Sequence, residues 1–448
     1  MRQWMVAAKK ADFYAIAEKF HVDPVVARII RNREVIGEKN IRIYLGGNLS
    51  DLSDPHQMKD MDRLVEILAQ KIRKQVRIRI IGDYDVDGVT SSHLFLMALR
   101  RVGAKVDVVI PHRIQDGYGL SLHLLQQAKE DGVDTILTCD NGIAAIDEIA
   151  WAKAQKMTVL VTDHHAVPFE EHEGRRTEKK SLADAVVNPH QQDCGYPYKE
   201  LCGAGVAWNV IRVLYENYDM DKREAEDLLD FVAMATVCDV MSLTGENRIL
   251  VKEGLKRIRH TKNIGLQALM QACNVQPENI SAYHFGYVLG PCVNATGRLD
   301  TARHALRLFE TGQETEAEEI ARDLVDLNQE RKELTLQGVE MAKKLCEEGG
   351  YENDPVLVLF LPDVHESIAG LIAGRIREAY QRPVFVLTRG EEGVKGSGRS
   401  IEAYSMFDKR TEVVELFTKY GGHTMEAGLH MRKGDMKKLR GQLSQKTE

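Results

Sequence analysis

The stretch Val76–Thr90, VRIRIIGDYDVDGVT, decides the fold. Six strand-like residues run into a segment with carboxylates at alternate positions, Asp83, Asp85 and Asp87. A β-branched run that breaks near a glycine and precedes a helix-competent segment, here Ser91–Arg101, predicts a strand, a loop and a helix. We therefore expect the three carboxylates in a loop at the carboxyl end of a strand, the edge at which open α/β sheets bind ligands.

The spacing of these three acids predicts a site for a divalent metal ion, because neighbouring carboxylates repel one another unless a cation lies between them. An EF-hand calcium loop also begins D-x-D-x-D-G. That loop needs a helix in front and a glutamate at its twelfth position, which is Leu94 here. A solvated acidic turn is the other alternative.

The composition is that of a globular protein with two or three domains: 448 residues, 44% hydrophobic and 28% charged. No apolar run reaches the roughly 18 residues that span a membrane. The N-terminal sequence MRQWMVAAKKADF lacks the apolar core of a signal peptide. We therefore expect a cytoplasmic protein that is not a membrane protein.

The net charge and the positions of the cysteines argue against further classes of protein. The net charge of −7 argues against a protein that coats nucleic acid over its whole surface, although a locally basic groove remains compatible with it. The seven cysteines include no C-x-x-C pair. We therefore expect neither structural zinc nor a disulfide framework.

Strand and helix patterns alternate from Val76 to about His190, which predicts a parallel sheet covered by helices. Residues 1–70 carry helical patterns and are predicted to form an accessory layer. The predicted strands are Val76–Ile81, Lys105–Ile110, Thr135–Thr138, Thr158–Thr162 and Asp184–Val187.

Polar motifs follow four of these strands: PHRIQDGYGL, TCDNG, TDHHAVP and VNPHQ. A single His or Asp at a strand end is more often a cap or a surface group, but a parallel sheet brings all such ends to one edge. Imidazole with carboxylate suits Mn²⁺, Zn²⁺ or Fe²⁺, and two ions are common where water cleaves a phosphodiester. The side chains expected beside the acidic loop are Arg113, Asp140, His164, His165 and His190.

Residues 200–310 are predicted to be mainly helical and add two candidates. The apolar helix in LLDFVAMATVCDVMSL runs into Asp239, and an acid in apolar surroundings needs a cap, a salt bridge or a cation, of which we favour the cation. In NATGRLDTA we expect Asn294 and Arg298 in a glycine-containing turn. Arg298 is a candidate phosphate clamp, because guanidinium binds phosphate in bidentate fashion.

The C-terminal third begins with a charged segment, Glu314–Glu348, that we interpret as one connecting helix, with a two-helix hairpin as the alternative. From Pro355 a second αβ pattern leads into glycine-rich GVKGSGRS and KYGGHTMEAGLHM. Small residues let a backbone approach phosphates, and Lys395, Arg399 and His423 supply charge or donors. Each stretch alone could be a plain turn, but together they predict a platform for a nucleotide chain.

With these motifs the chain resembles the DHH phosphoesterase superfamily and, within it, the RecJ-like single-strand-specific exonucleases. The resemblance covers residues 75–435 approximately and rests on ten motifs in the family's order. They are GDYDVDG, IPHRIQDGYGL, LTCDNGI, VTDHHAVP, VVNPH, CGYPYKELCGAGVAW, VCDVMSL, NATGRLDTA, GSGRS and YGGHTMEAGL.

The resemblance implies an α/β protein in which a parallel-sheet DHH domain is joined by a long helix to a smaller α/β DHH-associated domain, with the active site in the cleft between them. The expected segments are a helical accessory segment (1–70), the DHH domain (71–312), the connecting helix (313–350) and the DHH-associated, substrate-binding domain (351–448).

The resemblance also implies roles for individual residues. Two divalent ions, Mn²⁺ or Mg²⁺, would be held by Asp85, Asp87, Asp140, His164 and Asp239, with Asp140 as the bridge. Asp83 and His165 resemble partners of these ligands or of the substrate. The substrate-binding positions are Arg113, Ser397 and Arg399 at the 5′ phosphate, Arg298 near the scissile phosphate, and His423.

The implied activity is 5′→3′ hydrolysis of 5′-phosphorylated single-stranded DNA to mononucleotides in DNA repair and recombination. A single-strand-binding protein or a helicase are candidate partners. The alternatives are a DHH phosphodiesterase of short oligonucleotides or cyclic dinucleotides, and a non-catalytic scaffold in a replication or repair assembly.

The sequence departs from the family's pattern in two places. RecJ-like proteins usually continue into an oligonucleotide-binding barrel, whereas this sequence stops at Glu448, so we expect the barrel to be absent or supplied by a partner. Glu426 stands in YGGHTMEAGL where a small residue is usual, and we expect it to alter contacts at that backbone.

Overall fold

The strand that precedes the acidic loop lies inside a five-stranded parallel sheet in the computed structural model, in the order β2-β1-β3-β4-β7. The structure describes residue 5 and residues 9–113, 116–117, 119–172, 175–351, 354–390, 393–406, 414–422 and 425–445. The first seven strands are β1 (Arg77–Ile81), β2 (Lys105–Val109), β3 (Thr135–Cys139), β4 (Thr158–Thr162), the hairpin β5 (Phe169–His172) and β6 (Arg175–Glu178), and β7 (Ala185–Val187).

The sheet is apolar on both faces, as a parallel sheet between helices must be. Ile80 and Leu160 pack into the larger core on one face, and Ile81 and Val161 pack into a smaller core on the other. The helices before and within this sheet are α1 (Phe13–Phe20), α2 (Pro24–Asn32), α3 (Glu38–Gly46), α4 (Met61–Arg73), α5 (Val86–Arg101), α6 (Leu122–Glu130) and α7 (Ile146–Ala154).

The chain after β7 is helical up to the second sheet, as predicted for residues 200–310. A five-residue π-helix, Phe285–Leu289, precedes α14. The helices are α8 (Gly203–Asn217), α9 (Arg223–Glu226), α10 (Leu229–Cys238), α11 (Gly245–Arg257), α12 (Ile264–Ala272), α13 (Ala282–His284), α14 (Gly290–Leu299), α15 (Ala302–Glu310) and α16 (Glu314–Glu348). The interpretation of Glu314–Glu348 as one helix is confirmed.

The second sheet is mixed: β8 and β9 run parallel, and the other pairs are antiparallel in the order β11-β12-β10-β9-β8. Its elements are β8 (Leu357–Phe360), α17 (Ala369–Tyr380), β9 (Val384–Gly390), β10 (Gly393–Arg399), β11 (Phe417–Gly422), β12 (Glu426–Met431) and α18 (Met436–Gln445).

The α/β class, the parallel sheet and all five of its predicted strands are confirmed, with ends that differ by a residue or so. The alternative of a plain turn is wrong for GVKGSGRS, because β10 pairs on both sides. The chain divides into two compact units, Met1–Val325 and Asp326–Glu448. Among the described residues, every helix is too short or too polar to cross a membrane.

Candidate metal centre

The acidic segment is a loop only as far as Asp85, where helix α5 begins. The Asp85 carboxylate accepts a hydrogen bond from the Gly88 amide at 3.0 Å and so caps the helix that starts at Val86. Asp87 therefore lies in the first helical turn, and the expectation that all three acids belong to a loop is wrong for Asp87. Gly88 thus lies inside the helix and supplies the amide that the cap needs.

Asp87 is held by the first turn of helix α8. Its two carboxylate oxygens accept hydrogen bonds from the backbone amides of Gly203, at 2.6 Å, and Ala204, at 2.7 Å. Helix N-termini stabilise negative charge, so this arrangement both orients and supports the Asp87 carboxylate. A Cβ on Gly203 would lie 2.6 Å from the Cβ of Asp140, so only glycine lets α8 approach the carboxylates this closely.

Asp140 and His164 extend from the ends of β3 and β4 to the same place. Asp140 adopts a left-handed backbone conformation (φ 61°), which is uncommon for a residue other than glycine. Its Oδ1 lies 3.0 Å from Nε2 of His164. The same nitrogen lies 3.7 Å from Oδ2 of Asp87 and 3.6 Å from Oδ2 of Asp239, at the end of α10.

Seven side chains thus form three overlapping groups, and within each group the donor atoms all lie within 4.8 Å of one another. The seven are the residues that the resemblance implies as metal ligands or as partners of those ligands or of the substrate. The groups are Asp140, His164 and His165; Asp87, His164 and Asp239; and Asp83, Asp85 and Asp140.

Burial and mutual repulsion dominate the electrostatics of this cluster. Burial is the largest cause, and repulsion from neighbouring carboxylates is the next. Together they raise the pKa of Asp85, and they raise the pKa values of Asp83 and Asp140 well above the usual range of an aspartate. The same causes raise the pKa of Asp239 to about 8. The cluster therefore resists full ionisation at neutral pH unless positive charge is added.

Asp163 organises the histidine pair, although the sequence reasoning did not single it out. Its Oδ1 accepts hydrogen bonds from the backbone amides of His164 (2.7 Å) and His165 (3.1 Å) and from Nδ1 of His165 (2.8 Å). Its Oδ2 accepts from the Ile143 amide at 2.9 Å. In the sequence, its position directly before two histidines at a strand end could have identified Asp163 as a residue of the site.

Asp163 and His165 support each other's charge. Burial alone would raise the pKa of Asp163, but the hydrogen bond and the charge of His165 outweigh it and hold that pKa below its usual value. Burial alone would lower the pKa of His165, but Asp163 outweighs it and raises that pKa to about 9. The lowered pKa of Asp163 contrasts with the raised pKa values of Asp83, Asp85, Asp140 and Asp239.

Arg113 lies beside the acidic segment, with its guanidinium carbon 4.7 Å from the centre of the Tyr84 ring. This cation–π contact orients Arg113 near Asp83, whose pKa its charge lowers in part. His190 is less directly connected: its backbone amide donates to Asn188, whose side chain donates to the carbonyl of His165.

Arg298 belongs to helix α14, so the expectation of a glycine-containing turn is wrong. The glycine serves close packing instead, because a Cβ on Gly297 would lie 2.4 Å from the carbonyl oxygen of Tyr84. One turn earlier, Oδ1 of Asn294 accepts a hydrogen bond from the Val86 amide at 3.1 Å. Helix α14 is therefore held tightly against the acidic segment.

The second unit contains the other predicted substrate residues on strand β10. Ser397 and Arg399 pair in register with Gly428 and Glu426 of β12. The Arg399 guanidinium lies 3.1 Å from the Glu426 carboxylate. Lys395 is engaged by Glu366 at 2.8 Å. His423 lies outside the described residues.

The first unit's cluster fits divalent cations. Asp83 Oδ1 is buried and has no hydrogen-bond partner among the described residues. Crowded carboxylates with raised pKa values need added positive charge, and a mixed set of carboxylate and imidazole donors suits Mn²⁺. Asp85, Asp87, Asp140, His164 and Asp239 have the donor types for two ions.

Comparisons with known proteins find family models that match both units of the chain. The N-terminal domain model of the DHH family matches residues 77–236, and the DHHA1 domain model matches residues 353–448. The single-stranded-DNA-specific exonuclease RecJ of Haemophilus influenzae is 36% identical over 427 residues, which cover 91% of this chain and 72% of that protein.

Two solved structures of RecJ from Thermus thermophilus extend the similarity to the fold. The structure in complex with Mn²⁺ has a TM-score of 0.81 at 29% identity, covering 97% of this chain and 60% of that one. The structure in complex with Mg²⁺ has a TM-score of 0.75 at 28% identity, and the match covers 97% of this chain and 58% of that one. This chain therefore spans somewhat less than two thirds of the solved relative.

Proposed function

Because this chain belongs to the family of RecJ single-stranded-DNA-specific exonucleases, we propose that it hydrolyses single-stranded DNA from the 5′ end to mononucleotides in DNA repair and recombination. The observation that carries the proposal is the convergence of seven ionisable side chains from separate strand and helix ends on one buried cluster. Such a cluster is costly in a scaffold protein with no cation to bind, so it favours catalysis.

In this proposal Asp85, Asp87, Asp140, His164 and Asp239 hold two divalent cations. When bound, the cations supply a water of lowered pKa and polarise the phosphodiester. The chain itself fixes the geometry. Helix α8 orients Asp87 through two amides, and Asp163 orients the adjacent histidines. Preorganised groups of this kind need little rearrangement during the reaction.

His165 is proposed to act on the substrate side of the cluster. Its Nδ1 donates to Asp163, and its side chain remains 37% exposed. Since Asp163 favours the protonated ring, the imidazolium is suited to hold a phosphate oxygen. Arg113, stacked on Tyr84, and Arg298, on the tightly packed helix α14, are proposed as further phosphate contacts.

In the second unit, Ser397 and Arg399 are proposed to bind the 5′ phosphate. The Arg399 guanidinium lies against the first turn of helix α17, where a Cβ on Gly370 would be 2.9 Å from Nη2. A helix N-terminus and a guanidinium together form a suitable anion site. Glu426 occupies that guanidinium in this structure, so the phosphate would have to displace a carboxylate.

We further propose that the protein is located in the cytoplasm and that it acts together with a single-strand-binding protein or a helicase. These finer points are consistent with a repair exonuclease, which acts on strands that another protein has exposed. A pull-down with the full chain and a single-strand-binding protein, with and without DNA, tests the partnership.

The activity is tested with a 5′-phosphorylated, 5′-labelled single strand of about 40 nucleotides, several times the length of a usual binding site. A dinucleotide and a blunt duplex are run beside it, each with Mn²⁺, Mg²⁺ or a chelator. We expect cation-dependent release of labelled mononucleotide from the long strand, with the duplex spared. Cleavage of the dinucleotide alone would replace the proposal with a short-substrate phosphodiesterase, and no cleavage at all would favour a scaffold.

A further inference from the structure

A cavity of about 450 Å³ lies in the first unit, apart from the carboxylate cluster. Helices α5 and α10, which carry Asp87 and Asp239, also line it, but at other positions. His93 follows Asp87 by six residues, a rise of about 9 Å, and Asp230 precedes Asp239 by nine residues, about 13 Å. Its volume falls within the range of roughly 300–1,000 Å³ that is usual for small-ligand sites.

His93 and Phe231 lie in the wall of the cavity. The His93 ring lies 4.6 Å from that of Phe231, which in turn makes an edge contact with Phe309. His93 is 1% exposed, and its Nδ1 has no hydrogen-bond partner among the described residues. A buried ring nitrogen without a partner is uncommon in native proteins and indicates a ligand or a water in the cavity.

A second buried polar group adjoins the rings. Asp230 is 4% exposed and accepts hydrogen bonds from the Thr261 hydroxyl at 2.7 Å and from the Phe231 amide at 2.8 Å, and its carboxylate keeps further acceptor capacity. Together with His93 it offers hydrogen-bonding atoms beside aromatic faces. Nucleobases have a matching chemistry, because they stack on aromatic rings and carry donors and acceptors at their edges.

Three basic side chains, Lys256, Arg257 and Lys262, line the cavity together with Asp227. Lys256 pairs with Glu253 at 2.6 Å, and Arg257 pairs with Glu226 at 2.7 Å. Lys262 is exposed and forms no ion pair within the part of the chain that the structure describes. An exposed ammonium group with no carboxylate beside it can accept an anionic group of a ligand.

We propose that this cavity binds a nucleoside 5′-monophosphate, with the base against His93 and Phe231 and the phosphate at Lys262. The choice of a mononucleotide, which is the reaction product, rests on the proposed function, but the site itself is argued from its own side chains. The ligand contacts the same two helices that position Asp87 and Asp239.

Binding is measured by calorimetry on the full chain carrying Asp140→Ala, in chelator, so that neither hydrolysis nor the cation site contributes. Deoxyadenosine monophosphate, deoxyadenosine and inorganic phosphate are the probes. We expect the monophosphate to bind and the other two probes to bind at least tenfold more weakly. Absence of monophosphate binding, or equal binding of deoxyadenosine, would overturn the proposal.

The location is tested with rim variants, because substitution of the buried His93 can disturb folding. Lys262→Glu is expected to weaken monophosphate binding at least tenfold, whereas Lys74→Glu, at an exposed position at the end of α4, leaves it unchanged. Equal affinity in both variants would contradict the assignment. Exonuclease activity is assayed separately in the unsubstituted protein, so a failure of this site and a failure of the proposed function give different results.

Discussion

The carboxylate cluster of the first unit and the glycine-rich sheet of the second both contain ionisable side chains. In the cluster the acids repel one another, whereas in the sheet each basic side chain is paired with an acid. In the cluster, buried acids crowd one another, and burial raises the pKa of Asp83 and Asp140. In the sheet, Lys395 and Arg399 each lie beside a carboxylate and are partly exposed. The first site therefore needs a ligand of opposite charge, whereas the second is satisfied alone and must exchange a partner to bind phosphate.

The largest expected effect comes from removing a carboxylate of the cluster. Asp140→Ala should lower the exonuclease rate about a thousandfold, because two bound cations supply several kcal/mol of transition-state stabilisation. Rates on a single strand in saturating Mn²⁺ measure this. Asp193→Ala, at an exposed acid paired with Lys59, is the matched control and should leave the rate unchanged. A loss of less than tenfold in Asp140→Ala would contradict the proposed role.

Asp163→Asn should lower the rate by about 10–100-fold, the usual cost of losing a group that orients a metal ligand. The amide retains one acceptor oxygen but no charge, so His165 loses the partner that favours its protonated form. The Mn²⁺ concentration that gives half of the maximal rate should rise. An unchanged Mn²⁺ dependence would mean that Asp163 supports folding alone.

The stability of the cation-free protein should depend on pH in a defined direction. In the native state the pKa of Asp239 is about 8, so its carboxyl group stays protonated up to about that pH. In the unfolded state an aspartate loses this proton at a pH of about 4. The native state therefore binds more protons across this window, and the free energy of unfolding in chelator should fall as pH rises from about 4 to about 8. Denaturant unfolding at several pH values measures it, and saturating Mn²⁺ should remove the decline.

Gly297→Ala should destabilise the first unit by about 1–3 kcal/mol, because the new methyl group would press on the Tyr84 carbonyl and separate α14 from the acidic segment. Gly374→Ala, in α17, is the matched control. Its added Cβ meets no atom within 4 Å, so it should be neutral or stabilise by up to about 1 kcal/mol. Equal effects of the two substitutions on denaturant unfolding would contradict the packing argument.

The smallest expected effect is at the exposed pair in the second sheet. Glu426→Ala removes the carboxylate beside the Arg399 guanidinium and should tighten binding of 5′-phosphorylated strands by up to about fivefold, the scale of a surface ion pair. Strands with a 5′ hydroxyl should show no change. Glu402→Ala, at an exposed acid nearby in sequence, is the control. Weaker binding in Glu426→Ala would show that the glutamate assists the phosphate site.

The elements that sequence alone predicted well are those fixed by local patterns. Strand β1 and its neighbours show β-branched runs with breaks at their ends, so both the parallel sheet and the edge that gathers Asp140 and His164 followed from the sequence. Five of the seven side chains converge because parallel strands all end at one edge, whereas Asp87 and Asp239 come from helices α5 and α10.

The parts that sequence reasoning missed depend on contacts between distant segments. Gly297 was interpreted as part of a turn and Gly203 was not singled out, but both serve close approaches, to Tyr84 and to Asp140, which no local pattern reveals. Asp163 was overlooked because its role is to accept hydrogen bonds from its neighbours and from Ile143, a property of the folded backbone. The partnership of Arg399 with Glu426 likewise depends on strand register.

The most direct test of the central claim is anomalous X-ray diffraction from crystals of the full chain grown with Mn²⁺. Two anomalous peaks, a few ångström apart among Asp85, Asp87, Asp140, His164 and Asp239, are the result that we predict. Manganese bound elsewhere, or no ordered manganese at saturating concentration, would contradict the assignment of this cluster as a two-cation centre.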